Sequence, residues 1–89
     1  GIGVSIAANK HRGIRAAVCS DLFSAEMTRK HNAANVLCMG ARVLDDEKIA
    51  AITDTFLANE PLDEERHKRR LRMISELEDG TFDEKNYTL

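Results

Sequence analysis

The feature that most constrains the fold is a pair of short, mainly apolar runs separated by one helix-length segment. The runs span residues 14–19 and 35–39, and only the first is interrupted by a charge, at Arg15. Between them, Ser20 or Asp21 can cap a helix that continues to about His31. A strand, a helix and a second strand with short connections form a parallel β-α-β unit with a right-handed crossover. The sequence therefore predicts an α/β fold, with the first strand buried on both faces.

Helices are also predicted on both sides of this unit. Residues 1–3 form a glycine loop that enters a short helix at residues 4–10. After the second strand, acidic residues 45–47 open a helix whose apolar positions 49, 52 and 56 follow helical spacing along one face. Pro61 then breaks the chain, and a last helix runs from residues 63–65 to about residue 78.

The inventory of two strands and four helices is too small for an independent sheet. The chain has 89 residues, which allows one domain at most, and it opens with Gly1 in the middle of a glycine loop. We therefore expect residues 1–78 to form the C-terminal portion of a single domain, whose preceding half is supplied by missing sequence or by another chain. The polar tail at residues 79–89 is expected to be disordered or loosely docked.

Composition excludes several classes of function. The 13 basic and 15 acidic residues give a net charge of −2, which argues against a nucleic-acid or membrane-surface binder. No apolar run approaches the roughly 20 residues of a membrane span. Cys19 and Cys38 lie far apart without metal-ligand spacing, so they are expected to be free thiols in a reducing compartment. These observations indicate a cytoplasmic protein without a metal.

His31 is the first candidate for chemistry. Phe23, Met27 and His31 are four residues apart and share one helix face, which places His31 at the edge of the core and at the end of its helix. A histidine there can be structural, since its charge complements the helix dipole. The adjacent Asn32 and the strand that follows almost at once favour a catalytic role instead.

Anion-binding groups are the second kind of candidate. Backbone N–H groups at the helix start near Gly1 and Gly3 favour an anion, although two glycines can equally form an ordinary loop. Arg42 follows the second strand at the edge where open α/β sheets bind ligands, although a solvated surface side chain is the simpler interpretation.

The last helix carries a cluster of basic residues at positions 66–72. Arg66 and Arg70 share a stripe with Met73 and Leu77, so both guanidinium groups are expected to project from the packed face and could grip one phosphate. A solvated basic face explains the other cations of this helix. An alternative hypothesis from another class treats residues 66–72 as a basic helix that binds nucleic acid or an acidic partner.

Several segments together resemble one known family. They are GIGVSIAANK at residues 1–10, GIRAA at 13–17, Ser24-Ala25, His31-Asn32 followed by ANVL at 34–37, GAR at 40–42, and Arg66-His67-x-x-Arg70. In this order, from residue 1 to about 77, they resemble the C-terminal part of ribose-5-phosphate isomerase type B. The resemblance implies a Rossmann-like three-layer parallel sheet and an aldose-ketose isomerase without metal or cofactor. It also implies a homodimer or tetramer with active sites at the subunit interface.

The resemblance also implies roles for individual residues. His31 would be the acid/base group that opens the sugar ring, and Asn32 would hold a substrate hydroxyl. The backbone N–H groups from Gly1 through Ile2 to Gly3 would stabilise the oxygen charge of the enediolate.

The resemblance also implies which residues bind the phosphate and which residue removes the carbon-bound proton. Arg66 and Arg70, assisted by Arg42, would hold the phosphate across the dimer interface. One branch of the family uses a cysteine three residues before the position of Gly1 as the carbon base, and another uses a glutamate at the position of Ala7. Since Ala7 cannot act as a base, the resemblance predicts the cysteine branch.

Three points stay open at the level of sequence. A hexose 6-phosphate or a tetrulose 4-phosphate could use the same phosphate grip and ring-opening histidine. Residues 59–65 are longer and more acidic than the glycine-rich link usual in the family, which leaves the reach of the last helix undecided. A remnant without catalytic activity is the third hypothesis.

Overall fold

The computed structural model describes residues 1–87 and contains one parallel two-stranded sheet with four α-helices. The elements in chain order are α1 (Ile2–Ala8), β1 (Ala16–Val18), α2 (Leu22–Asn32), β2 (Val36–Cys38), α3 (Asp46–Ala58), α4 (Glu65–Asp79) and a 3₁₀ turn (Glu84–Asn86). β1 and β2 pair in parallel, with Ala16 opposite Val36 and Val18 opposite Cys38. The predicted β-α-β unit, with α2 as its crossover, is confirmed. Thr88 and Leu89, the end of the predicted tail, lie outside the described residues.

The ends of α2 are fixed by local sequence. The Asp21 carboxylate accepts a hydrogen bond from the backbone N–H of Ser24 at 2.7 Å, a cap that typically contributes about 1 kcal/mol. At the other end Ala33 adopts a left-handed conformation with φ of 48°, and its N–H donates to the carbonyl of Arg29. These two features place His31 and Asn32 in the last turn of α2, immediately before β2.

The strands are shorter and less buried than predicted. β1 has three residues, and Val18 is 41% exposed, so the expectation of a strand buried on both faces is wrong for this chain. The burial of a strand depends on the elements around it, and within residues 1–87 β1 has a single strand neighbour, β2. On its other edge the Asn9 side chain donates to the carbonyl of Ala16 at 3.0 Å and accepts from its N–H at 2.7 Å. An amide side chain thus occupies the place of a neighbouring strand at this point.

The core lies between the strands, α2 and α3. Its buried members are Cys19, Ala25, Ala34, Leu44, Ile52 and Phe56. The helical spacing predicted for residues 49–56 is confirmed, because Ile52 and Phe56 are buried and α3 packs chiefly against α2. No helix within residues 1–87 is both long enough and apolar enough to cross a bilayer.

Truncation of Ile52 tests the packing of α3 on this core. Ile52 is fully buried, so Ile52→Ala is expected to lower the free energy of unfolding by about 2–5 kcal/mol, through lost burial and the cavity left behind. Leu57→Ala on the same helix is the matched control, because Leu57 is 70% exposed. Urea denaturation of the complete protein measures both changes. Equal losses would show that α3 faces the core differently.

α4 lies against α2 through a residue that the sequence did not indicate. Arg66 and Arg70 are exposed, and Leu77 is 63% exposed, so the predicted packed stripe is wrong. The buried residue of α4 is His67, which is 3% exposed and contacts the last turn of α2. The N–H of Leu62 also donates to the carbonyl of Lys30 at 2.9 Å and ties the preceding linker to α2. α4 is therefore oriented with His67, and not Arg66, Arg70 or Leu77, on its buried face.

Residues 81–87 dock on α4. The Tyr87 hydroxyl hydrogen-bonds the Glu76 carboxylate, and Arg69 donates to the Tyr87 carbonyl at 2.8 Å. The Phe82 and Tyr87 rings stack at 5.7 Å. Of the two states expected for this part of the tail, docking is the one observed.

Candidate active site

One group of candidate residues assembles at the amino ends of the strands. α2 runs antiparallel to β1 and β2, so its last residues, His31 and Asn32, return to that end of the sheet. The half-buried His31 ring stacks on the His67 ring with centroids 4.2 Å apart and planes 12° from parallel. Arg66 and Arg70 flank His67 along α4. One chain therefore places His31, the predicted ring-opening residue, beside the helix that carries both predicted phosphate-binding arginines.

His67 is the residue of this group that sequence reasoning missed as an independent candidate. Within the described residues its two ring nitrogens make no hydrogen bond, although Oε2 of Glu64 lies 3.4 Å from Nε2. Burial lowers the pKa of the His67 imidazole, and the neighbouring His31 and the Arg66 and Arg70 guanidinium groups lower it further, while Glu64 raises it. His67 is therefore neutral around pH 7. Its place inside the Arg66-His67-x-x-Arg70 motif was the only signal in the sequence.

The basic residues of α4 differ in what they already bind. Lys68 pairs with Asp63, Arg69 binds the Tyr87 carbonyl, and Arg72 binds Glu65 at 3.2 Å. Arg66 donates from Nε to the Glu64 carboxylate at 3.0 Å.

Arg70 differs from all of these cations. It is exposed and makes no hydrogen bond or ion pair to any residue in 1–87. Arg70 is therefore the guanidinium of α4 that can receive an anion without giving up an existing partner.

A second group lies at the carboxyl ends of the strands. Gly1 packs against the chain that leaves β2, where a Cβ atom would lie only 2.9 Å from the carbonyl carbon of Met39. This close approach explains the glycine at position 1, whereas nothing lies within 4 Å of a Cβ atom added at Gly3. Arg42 is exposed and lines the same cavity as Gly1 and Ile2.

The structure corrects the predicted start of α1. Ile2 and Gly3 were expected in a loop, but they form the first turn of the helix, whose first intrahelical bond joins the N–H of Ser5 to the carbonyl of Gly1. The N–H groups of Ile2 and Gly3 have no partner within the helix, as at any helix start. These two N–H groups can therefore donate to an anion, which the predicted oxyanion role requires.

The two groups face opposite ends of the sheet within one chain. His31 and Asn32 precede β2, whereas Gly1 packs against the residues that follow it. Three-residue strands separate the groups by about 10 Å at a rise of about 3.3 Å per residue. A single chain thus gathers His31, Asn32, Arg66 and Arg70. It leaves Gly1, Ile2, Gly3 and Arg42 at the other edge.

Known proteins share this arrangement of elements and much of the sequence. The chain matches the Ribose/Galactose Isomerase family over residues 1–74. It is 45% identical over 78 residues to ribose-5-phosphate isomerase B of Escherichia coli K12, which covers 88% of this chain and 52% of that protein. It is 49% identical over 57 residues to D-erythrulose-4-phosphate isomerase of Pectobacterium atrosepticum, covering 64% of this chain and 38% of that one.

The fold is shared as well. The structure of type B ribose 5-phosphate isomerase from Trypanosoma cruzi matches with a TM-score of 0.88 at 49% identity, over 90% of this chain and 53% of that chain. The predicted Rossmann-like α/β class is thereby confirmed, and the chain spans about half the length of the relatives it matches. The extent of the family match and these identities show that the chain belongs to the ribose/galactose isomerase family, which includes ribose-5-phosphate isomerase B.

Proposed function

We propose that the protein containing this chain is an aldose-ketose isomerase that interconverts ribose 5-phosphate and ribulose 5-phosphate through an enediolate, without metal or cofactor. The observation that carries this proposal is the group formed by His31, Asn32 and Arg70. An acid/base side chain and an amide end α2 here, beside the helix that carries an uncommitted guanidinium. Family membership supports the same chemistry.

The proposed reaction begins with ring opening. His31 removes the proton from the hydroxyl at C1 and returns a proton to the ring oxygen, so that the C1–O ring bond breaks and an aldehyde forms. Asn32 holds a substrate hydroxyl during this step. Arg70, with Arg66, binds the phosphate and fixes the substrate relative to His31.

Isomerisation then moves one proton between carbons. A base removes the proton from C2, which gives the enediolate, and the proton is returned to C1 while the hydroxyl proton of O2 passes to O1, which gives the ketose. The N–H groups of Ile2 and Gly3 stabilise the negative oxygen that forms. The resemblance assigns the base to a cysteine upstream of Gly1, and Ala7 cannot replace it.

The site is completed by a second copy of the chain in this proposal. His31 and the N–H groups of α1 lie at opposite ends of the sheet in one chain, about 10 Å apart along the strands. A dimer that places the carboxyl edge of one copy against the amino edge of the other brings them together, with Arg42 near the phosphate. The homodimer, or a tetramer built from it, is therefore part of the proposed function. A cytoplasmic location remains a further proposal, supported by the two free cysteines.

Mixing two variants that are each expected to be inactive towards ribose 5-phosphate tests the shared site, with the rate measured from the aldose. His31→Ala removes the acid/base group, and Gly3→Pro removes one N–H in the first turn of α1, where an added Cβ atom meets no neighbour. After exchange of subunits, half of the dimers are mixed and each holds one intact site. We therefore expect the mixture to recover about a quarter of normal activity, since one of two sites in half of the dimers is complete.

Gly3→Ala is the matched control for the mixing experiment. It keeps the N–H and meets no neighbour, so it should stay active alone. Recovery should be absent when either inactive variant is mixed with itself. If the mixture of His31→Ala and Gly3→Pro stayed inactive although mixed dimers were present, each site would belong to one chain.

The substrate is tested by assaying the complete protein with a panel of sugar phosphates. Ribose 5-phosphate should be turned over with the highest kcat/KM. A tetrulose 4-phosphate is the second candidate, because the Pectobacterium relative is named for D-erythrulose 4-phosphate. A hexose 6-phosphate completes the panel. No turnover of ribose 5-phosphate alongside efficient turnover of another member would reassign the substrate, and no turnover of any member would overturn the isomerase proposal.

A further inference from the structure

The proposed reaction leaves a buried histidine without a role. His67 is 3% exposed, and its two ring nitrogens make no hydrogen bond to any residue in 1–87. A buried polar group without hydrogen bonds lowers stability unless something else is gained. An aliphatic residue would fill the same space between α4 and α2 without this cost. The gain must therefore come from the ring itself.

The ring of His67 covers one face of His31. The centroids are 4.2 Å apart and the planes deviate by 12° from parallel, so the contact is a face-to-face stack. A stack restricts rotation of the His31 ring out of its plane. It covers the ring face and leaves the ring edges, which carry both nitrogens, uncovered by this contact. Acid/base chemistry uses those edges.

The charges around His67 keep its ring a neutral partner. His31 faces it from α2, Arg66 and Arg70 lie beside it on α4, and Glu64 approaches it from the linker. Burial, His31 and the two arginines lower the pKa of His67, and Glu64 alone raises it. A neutral ring can stack on His31 while His31 gains and loses a proton, whereas a second cation at this distance would oppose protonation of His31.

We infer that His67 is a positioning residue for His31, a flat ring that holds the plane of the His31 imidazole while its nitrogens exchange protons with the ring form of the substrate. This inference rests on the proposed function. It does not make His67 a catalytic residue, because the contact that defines it is with His31 and not with the reacting atoms. Its predicted effect is confined to ring opening.

The two directions of the reaction separate this role from a structural one. Ribose 5-phosphate is mainly a closed ring, whereas ribulose 5-phosphate is acyclic because its 5-oxygen carries the phosphate. In the complete protein, His67→Ala is expected to lower kcat for the aldose by about 10- to 100-fold, the scale of effect that a misplaced catalytic group has. The kcat for the ketose should change by less than about threefold. Simple destabilisation would lower both by the same factor, since it reduces the number of active molecules.

Further variants keep the test decisive if His67→Ala does not fold. His67→Phe retains a flat ring without nitrogens and should restore most of the aldose kcat. His67→Leu fills the space without a flat ring and should resemble His67→Ala. Equal losses in both directions for all three variants would overturn the positioning role. Failure of the unmodified protein to isomerise any sugar phosphate would instead overturn the proposed function, so the two failures are distinguishable.

Discussion

His31→Ala is expected to lower kcat for ribose 5-phosphate by about 10²- to 10⁴-fold, the usual contribution of a positioned acid/base group. The closed ring would still bind through its phosphate, but it would occupy the site without opening. The kcat for acyclic ribulose 5-phosphate should fall by no more than a few-fold, because an acyclic substrate does not need the ring opening proposed for His31. Initial rates measured in both directions on the complete protein give the two values.

The matched control for this prediction is another histidine of the same chain. His11 is exposed in the turn before β1 and its ring does not stack on His31, so His11→Ala should leave both directions unchanged. Loss of both directions together in His31→Ala would contradict the ring-opening role and would place His31 in the carbon-proton transfer or in the folding of the site. The two rates thus identify the step, as well as the residue.

The β-α-β unit could be predicted because its signals are local. Apolar runs on both sides of a capped amphipathic segment determine β1, α2 and β2, and the Asp21 cap forms within three residues of chain. The extent and burial of the strands could not be predicted, since they depend on which neighbours pair with them. The sequence pattern predicts Val18 as a core residue, but within the described two-stranded sheet its side chain is 41% exposed.

The orientation of α4 could not be predicted from its apolar residues. The sequence pattern placed Met73 and Leu77 on the packed face, but Leu77 is 63% exposed and the helix buries His67 instead. A helix rotates to bury the residues that meet its neighbours, and the neighbour here is the end of α2, where His31 offers a flat ring. Aromatic stacking between two histidines has no apolar period that a sequence pattern could reveal.

The roles of the cations depend on partners that sequence cannot assign. Positions 66–72 hold five Lys or Arg residues in addition to His67, and the sequence alone shows only that each carries a positive charge. The structure separates them, because Lys68, Arg69 and Arg72 each bind a group within the chain. The predicted pair, Arg66 and Arg70, remains beside His67, with only Arg66 bound to a carboxylate.

Arg70→Ala is the variant expected to separate the isomerase from a basic-helix binding module. A charge-assisted hydrogen bond contributes about 1.5–3 kcal/mol, so loss of one phosphate contact should raise KM for ribose 5-phosphate by about 10- to 100-fold. The kcat should change little, because the phosphate is held in both the ground state and the transition state. Initial rates over a wide range of substrate concentration measure this effect.

Arg69→Ala is the control that separates a specific phosphate contact from a general basic surface. Arg69 lies next to Arg70 and has the same charge, but its guanidinium binds the Tyr87 carbonyl and lies over the Tyr87 ring. If α4 acted as a general basic surface, both variants would weaken binding alike, and the weakening would depend strongly on salt. If Arg70 holds the substrate phosphate, Arg69→Ala should leave KM within about twofold of the unmodified protein, because the Arg69 guanidinium already binds the Tyr87 carbonyl. Equal increases in KM for both variants would therefore support the binding-module hypothesis for α4. An increase for Arg70→Ala alone would show that Arg70 binds the phosphate, near the end of α2 where His31 lies.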